Sequence, residues 1–192
     1  SGNHGVFAGD ATLGPGFLGQ GFVFDGNGDF VSLGNPASLQ SQEFTIEAWI
    51  QRASPLIVSS SGTGSALIFG YGLGGYGFGL LNDGRLFLTK VGISNVTLTN
   101  GVTDTDWHHV AVAKAGSAVV FYTDGLAYPA PPYDPGFTFV TAVAIGARAD
   151  NQDGSFLGTI DEPSFYGRAL TPSDIQTVFA SGLSGKCLDL VA

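Results

Sequence analysis

The sequence predicts an all-β fold: an antiparallel sandwich or barrel of about a dozen short strands, followed by one short C-terminal helix. Three observations carry this reading. Short runs of β-branched and aromatic residues recur along the chain, separated by turns rich in Gly, Asn and Asp. Glycine is abundant at 30 of 192 residues and phenylalanine at 15, whereas charged residues make up only 12%. That composition suits strands and tight turns and is poor in helix formers. Finally, helix signals are confined to residues 172–180.

Taken in order, residues 1–21 are Gly-rich, with few strand signals beyond Val6-Phe7-Ala8. Phe22-Val23-Phe24 and Phe30-Val31-Ser32-Leu33 flank Asp25-Gly26-Asn27-Gly28-Asp29, which reads as a hairpin turn. The stretch 44–51 alternates: Phe44, Ile46, Ala48 and Ile50 share one face, and Thr45, Glu47, Trp49 and Gln51 the other. A Ser-rich loop covers 54–65. Strands follow at 66–69 and 76–81, and Asn82-Asp83-Gly84 turns the chain into 85–90. Residues 107–114 and 117–123 form a hairpin pair, closed at the far end by Asp124-Gly125. The Pro-rich stretch 129–135 is unsuited to a central strand. Strands at 140–146 and 156–165 complete the set. Thr171 is placed to cap the helix, with Pro172 in its first turn and Asp174 three residues after the cap. Ile175, Val178 and Phe179 form its apolar stripe, and Gly182 stops it.

The chain is long enough for one core and carries no internal repeat or linker, so residues 1–192 read as a single domain. The hydrophobic share of 44% argues against disorder. The net charge of −9 argues against a nucleic-acid partner, which requires clustered Lys and Arg. No apolar run approaches the roughly 18 residues that span a bilayer, so membrane insertion is not expected. The one cysteine, Cys187, forms no internal disulfide. Both ends read as edges of a longer chain, which implies other domains as neighbours.

Several stretches together resemble the laminin-G-like, concanavalin A-like jelly-roll family. Residues 22–31 (FVFDGNGDFV) look like its opening strand pair. Phe44-Thr45-Ile46-Glu47-Ala48-Trp49-Ile50, Trp107-His108-His109-Val110-Ala111 and Phe121-Tyr122-Thr123-Asp124-Gly125 look like three of its later strands. Gly158-Thr159-Ile160-Asp161-Glu162 and Arg168-Ala169-Leu170-Thr171 resemble its closing signature. These matches fall in order over nearly the whole chain. The resemblance implies a two-sheet antiparallel jelly roll, similar to laminin-G, pentraxin and legume-lectin domains. Pro163 departs from the pattern; it removes a ladder donor and predicts a bulge or an edge.

Calcium takes oxygen ligands from carboxylates and carbonyls. Asp25-x-Asn27-x-Asp29 has the spacing of half an EF-hand loop, but Phe30 and Pro36 stand where Gly and Glu are required. The resemblance implies instead that the first and last strands lie together, which brings Asp25 near Asp161. Asp25, Asp29 and Asp161 are the ligands expected for a structural Ca2+; Asp25 and Asp29 also suit plain turn building. The loop holding Asp150, Asn151 and Asp153 falls where pentraxin-like relatives hold ligand calcium, so these three are candidate ligand contacts. Tyr71, Tyr76 and Tyr133 are candidate sugar-stacking rings. A strand whose glycines permit close packing explains the run 71–78 without a ligand.

His108 and His109 are adjacent on a strand and point to opposite faces, which favours packing over shared metal binding. Glu47 and Glu162 do not form the carboxylate array of a sandwich glucanase, and no Gly-x-Ser-x-Gly elbow is present. Catalytic residues are therefore expected to be none. Asn95-Val96-Thr97 meets the N-glycosylation triplet. The expected function is a non-catalytic module of a secreted or cell-surface protein that binds carbohydrate or glycoprotein, with a structural Ca2+. The alternative is an adhesion or structural module that binds other proteins.

Overall fold

The computed structural model describes residues 4–182, so Cys187 lies outside the described residues. The strands in chain order are β1 (Val6–Ala8), β2 (Thr12–Pro15), β3 (Gln20–Asp25), β4 (Phe30–Ser32), β5 (Phe44–Arg52), β6 (Ser65–Tyr71), β7 (Tyr76–Leu81), β8 (Arg85–Lys90), β9 (Ser94–Gly101), β10 (Trp107–Ala115), β11 (Ala118–Thr123), β12 (Leu126–Pro129), β13 (Val143–Ile145) and β14 (Leu157–Tyr166). A 3-10 turn spans Ala37–Leu39, and α1 spans Pro172–Ser181. Two seven-stranded antiparallel sheets result. The first has the order β1-β4-β13-β6-β7-β8-β9, and the second β12-β11-β10-β5-β14-β3-β2. This is the jelly roll that the strand spacing and the resemblance predict.

The alternation in β5 explains the layering. Phe44, Ile46, Ala48 and Ile50 are wholly buried between the sheets, among side chains such as Phe78, Val110, Val112 and Ile160. Period-two geometry sends Thr45, Glu47 and Trp49 to the other face, and that face is covered too. Leu170 and Ile175, the latter in α1, pack on Ala111, Ala113 and Tyr122. Phe17 and Phe179 stack against Trp49. Glu47 and His109 are therefore both fully buried, joined through Oε2 and Nε2 at 3.0 Å, and Tyr166 donates its hydroxyl proton to Glu47 Oε1. Thr171 and Asp174 form a capping box at the start of α1.

Three turn readings hold for physical reasons. Asp124 (φ 51°) and Gly125 (φ 77°) both adopt the left-handed conformation that a tight hairpin between β11 and β12 demands. Asn82-Asp83-Gly84 joins β7 to β8. The register of β14 against β5 shifts between Asp161 and Ser164, so Pro163 sits in a bulge, where it costs no ladder bond.

The expected hairpin at residues 22–33 is corrected. β3 belongs to the second sheet and β4 to the first, so the turn between them is a corner that switches sheets. Its pivot is Asp29, only 1% exposed. The Asp29 carboxylate accepts hydrogen bonds from the backbone N–H of Asp10 (2.9 Å) and of Asp25 (3.0 Å). Its own N–H donates to Ser155 Oγ (3.1 Å), and Ser155 Oγ–H donates to its carbonyl (3.0 Å). Both acceptor oxygens are engaged inside the protein. Asp29→Asn replaces one of them with an NH2 group and leaves one of these partly buried backbone donors without its acceptor. Urea unfolding is expected to show a loss of about 1–3 kcal/mol of stability; an unchanged midpoint would show that the corner does not depend on this carboxylate.

Candidate functional site

The corner around Asp29 gathers acidic groups. Carboxylate oxygens of Asp10, Asp25 and Asp29 lie within 4.8 Å of one another, with Asp10 and Asp25 exposed and Asp29 buried. Asp25 Oδ1 accepts from the N–H of Asn27 at 2.7 Å. Gly9, at φ 73°, leaves the room that Asp29 occupies; a Cβ there would collide with Asp29 Oδ1. The hydrogen bond with Asp29, and then the charges of Asp29 and Asp25, raise the Asp10 carboxyl above the ordinary carboxylate range. An all-oxygen set that concentrates negative charge in this way fits a hard divalent cation.

Asp161, the third ligand expected, is not part of this group. The first and last core strands do pair, as β3 and β14, but the register sets Asp25 opposite Leu157. Asp161 lies four residues further along β14, about 13 Å at 3.3 Å per residue. Its Oδ2 accepts from the N–H of Leu18 (2.8 Å) and its Oδ1 from the N–H of Glu162 (2.8 Å), so it fastens the β2–β3 turn. Asp10 takes the place assigned to it. The one sequence signal for Asp10 is its position just after Gly9, at the end of Val6-Phe7-Ala8, the strand signal of an otherwise Gly-rich stretch.

A second feature is a groove of about 290 Å3 on the outer face of the first sheet, lined by residues of β6 to β9 and of the 148–154 loop. Its origin lies in the alternation of β7. Tyr76, Phe78 and Leu80 point into the core, so Gly77 and Gly79 fall on the outer face and present no side chain. Leu67, Thr89 and Val91 close over Gly77 to form a floor with Phe87. Thr63, Ser65, Asn95 and Thr97 supply hydroxyl and amide groups along the sides.

Arg148 and Asp153 stand at one end. Arg148 donates from Nε and Nη2 to the two oxygens of Asp150 at 3.0 and 2.9 Å, and its Nη1 lies 3.9 Å from Asp153 Oδ2. Asn151 Nδ2 donates to Asp153 Oδ2 at 2.6 Å, and the Asp153 N–H donates back to Asn151 Oδ1. Burial works to raise the Asp150 carboxyl, but the hydrogen bonds from Arg148 and from the Leu73 N–H outweigh it and hold that carboxyl below the usual range. Of the three loop candidates, Asp153 lines the groove, Asn151 orients it, and Asp150 anchors Arg148 from behind.

Two of the tyrosine candidates, Tyr71 and Tyr76, are corrected. Tyr71 and Tyr76 are completely buried in the inter-sheet core, where they meet edge to face and leave no ring surface for a ligand. Tyr133 uses its hydroxyl within the protein, donating to the carbonyl of Ser94 at 2.7 Å and accepting from the N–H of Lys90. The glycines of this stretch shape the groove, and its tyrosines build the core. His108 and His109 point to opposite faces as expected: His108 bridges Asp104 and Asp124, while His109 is buried on Glu47.

A third opening of about 640 Å3 lies between the sheets, bordered by Phe7, Phe22, Leu33 and Phe165 and by the β14 bulge. Among the described residues, no helix is long and apolar enough to cross a membrane.

Two seven-stranded antiparallel sheets packed as a jelly roll define a concanavalin A-like sandwich. Residues 25–176 match the family model of the Concanavalin A-like lectin/glucanases superfamily, in its laminin-G form, and the chain belongs to that superfamily. No curated protein matches the sequence. Among solved structures, domain 4 of AbnA, a GH43 extracellular arabinanase from Geobacillus stearothermophilus in complex with arabinotriose, is similar with a TM-score of 0.68 and 22% identity, over 88% of this chain and 81% of that one. The Trypanosoma rangeli sialidase in complex with sialic acid is similar with a TM-score of 0.68 and 17% identity, over 93% of this chain but 30% of the sialidase. The binding domain of botulinum neurotoxin DC in complex with rat synaptotagmin II gives a TM-score of 0.68 and 14% identity, over 94% and 47%. These likenesses establish the shared fold.

The acidic corner carries a prediction of its own. A carboxyl whose pKa is raised by folding adds stability while protonated, and that stability is lost as pH climbs through the raised value. Asp10→Asn keeps a donor for Asp29 and removes the repulsion. In chelator at pH 7 the variant is expected to melt above the wild type, and the difference is expected to vanish near pH ~3, below the ordinary carboxylate pKa. A variant that melts lower at neutral pH would refute the repulsion.

Proposed function

We propose that this domain is a non-catalytic carbohydrate-binding module of a secreted or cell-surface protein, with its ligand in the groove over β6 to β9 and a structural Ca2+ at Asp10, Asp25 and Asp29. The observation that carries the reading is the groove lining. A sugar offers C–H faces and hydroxyl edges, and here an apolar floor of Leu67, Phe87 and Val91 is flanked by hydroxyls, an amide and the Arg148 and Asp153 charges. The arabinotriose held by the similar arabinanase domain supports the ligand class, and that protein's extracellular setting supports the location. The non-catalytic reading is supported by the fate of the carboxylates: Glu47 is buried on His109, and Asp161 is engaged by backbone donors.

One observation favours the second reading, a protein-binding module. Edge strand β1 exposes Val6 (66%) and Phe7 (45%) beside the opening between the sheets.

Thr97→Trp fills the groove from its side wall. A glycan array is expected to show binding by the wild type and its loss in the variant, with the thermal melt unchanged. A wild type that binds no glycan, or a variant that binds as well, would remove the groove as a sugar site. For the metal, Ca2+ at a hundredfold excess over Kd is expected to add about 2.7 kcal/mol, read as a rise of several degrees in Tm that Asp25→Asn abolishes. An unchanged Tm in millimolar Ca2+ would overturn the calcium assignment.

A further inference from the structure

Resting on the glycan reading of the groove, we propose that its ligand is a neutral oligosaccharide and that the groove rejects acidic glycans. Among the residues that line it, Arg148 and Asp153 are the charged ones. The Arg148 charge is already balanced: both oxygens of Asp150 accept from it in a bidentate pair, and Asp153 lies 3.9 Å away from its Nη1. Asp150 is in turn held by the Leu73 N–H at 2.9 Å, so this pair is fixed from two directions. One cation between two carboxylates leaves this end of the groove with net negative charge, in a chain whose net charge is −9.

The nearby cations do not reverse this balance. Lys90 directs its ammonium to the carbonyl of Pro135, and Arg85 is paired with Asp83 at 2.8 Å. A carboxylate or sulfate on a sugar would meet Arg148 at its Nη1 edge, where it would stand beside Asp153. Like-charge repulsion from Asp153 and Asp150 opposes it. The remaining polar groups are the hydroxyls of Thr63, Ser65, Thr89 and Thr97 and the amide of Asn95. Thr63, Thr89 and Thr97 already donate within the protein, to the Ser65 and Ser94 carbonyls and to Asn95 Oδ1, so these hydroxyls offer acceptors that suit sugar hydroxyls and give no advantage to an anion.

The test is an array of neutral oligosaccharides alongside their sialylated counterparts, followed by titration at low and high salt. Binding is expected for neutral members, at least tenfold weaker for each sialylated counterpart, and unchanged by salt. Asp150→Asn and Asp153→Asn are each expected to raise binding of the sialylated glycans several-fold; two variants are used because Asp150 also accepts from the backbone and Asp153 does not share that bond. Sialylated glycans bound by the wild type as tightly as neutral ones, or binding that falls steeply with salt, would overturn the charge rule and leave the glycan reading standing. No binding to either set would overturn both together.

Discussion

The buried carboxylate of Asp29 is the constraint on which the fold's open end depends. A two-sheet sandwich must pass its chain repeatedly from one layer to the other, and each passage leaves backbone donors without a ladder partner. Here the passages converge. The β1–β2 step presents the N–H of Asp10, the β3–β4 step that of Asp25, and the β13–β14 loop contributes the Ser155 hydroxyl. The β5–β6 loop closes the same region, with Ser60 donating its N–H to the carbonyl of Gly26 and its hydroxyl proton to that of Asp25. One carboxyl side chain thus satisfies donors from two separate crossings.

One loop joins this corner to the groove. Residues 147–155 run from the groove to the corner: Arg148, Asp153 and Gly154 line the groove, and Ser155 binds Asp29. Gln152, in the left-handed region at φ 65°, and Gly154, whose carbonyl accepts from the N–H of Leu67, hold the loop against β6. The polar end of the groove therefore takes its position from the same contacts that fasten the sheets. At the opposite face of the second sheet, the buried Glu47–His109 pair and α1 complete the domain, which explains why β5 carries large or polar residues on both faces without exposing either.

Much of the scaffold was legible because it rests on local rules. Alternation marked the inward face of β5, Asp-Gly marked the β11–β12 turn, Pro163 marked the bulge, and Thr171-Pro172 with Asp174 marked the helix start. The site was less legible. Asp25 and Asp29 were recognisable from their residue types, but Asp161 was paired with them on strand adjacency alone, and adjacency without register leaves an error of several residues along the strand. Asp10 was hidden in a stretch whose strand is only three residues long and gains its order from pairing with β4. Tyr71 and Tyr76 drew attention as aromatics, yet the informative residues beside them were Gly77 and Gly79.

The sequence by itself determined the strand periods, the turn chemistry, the helix cap and the membership of a lectin-type sandwich, because each depends on residues close together in the chain. Only the tertiary structure decided that residues 25–29 switch sheets instead of closing a hairpin, that Asp10 completes the acidic corner while Asp161 fastens a distant turn, and that two glycines open a groove under Arg148 and Asp153. These outcomes depend on strand register and on which layer each strand joins, and both are set by packing between residues far apart in sequence.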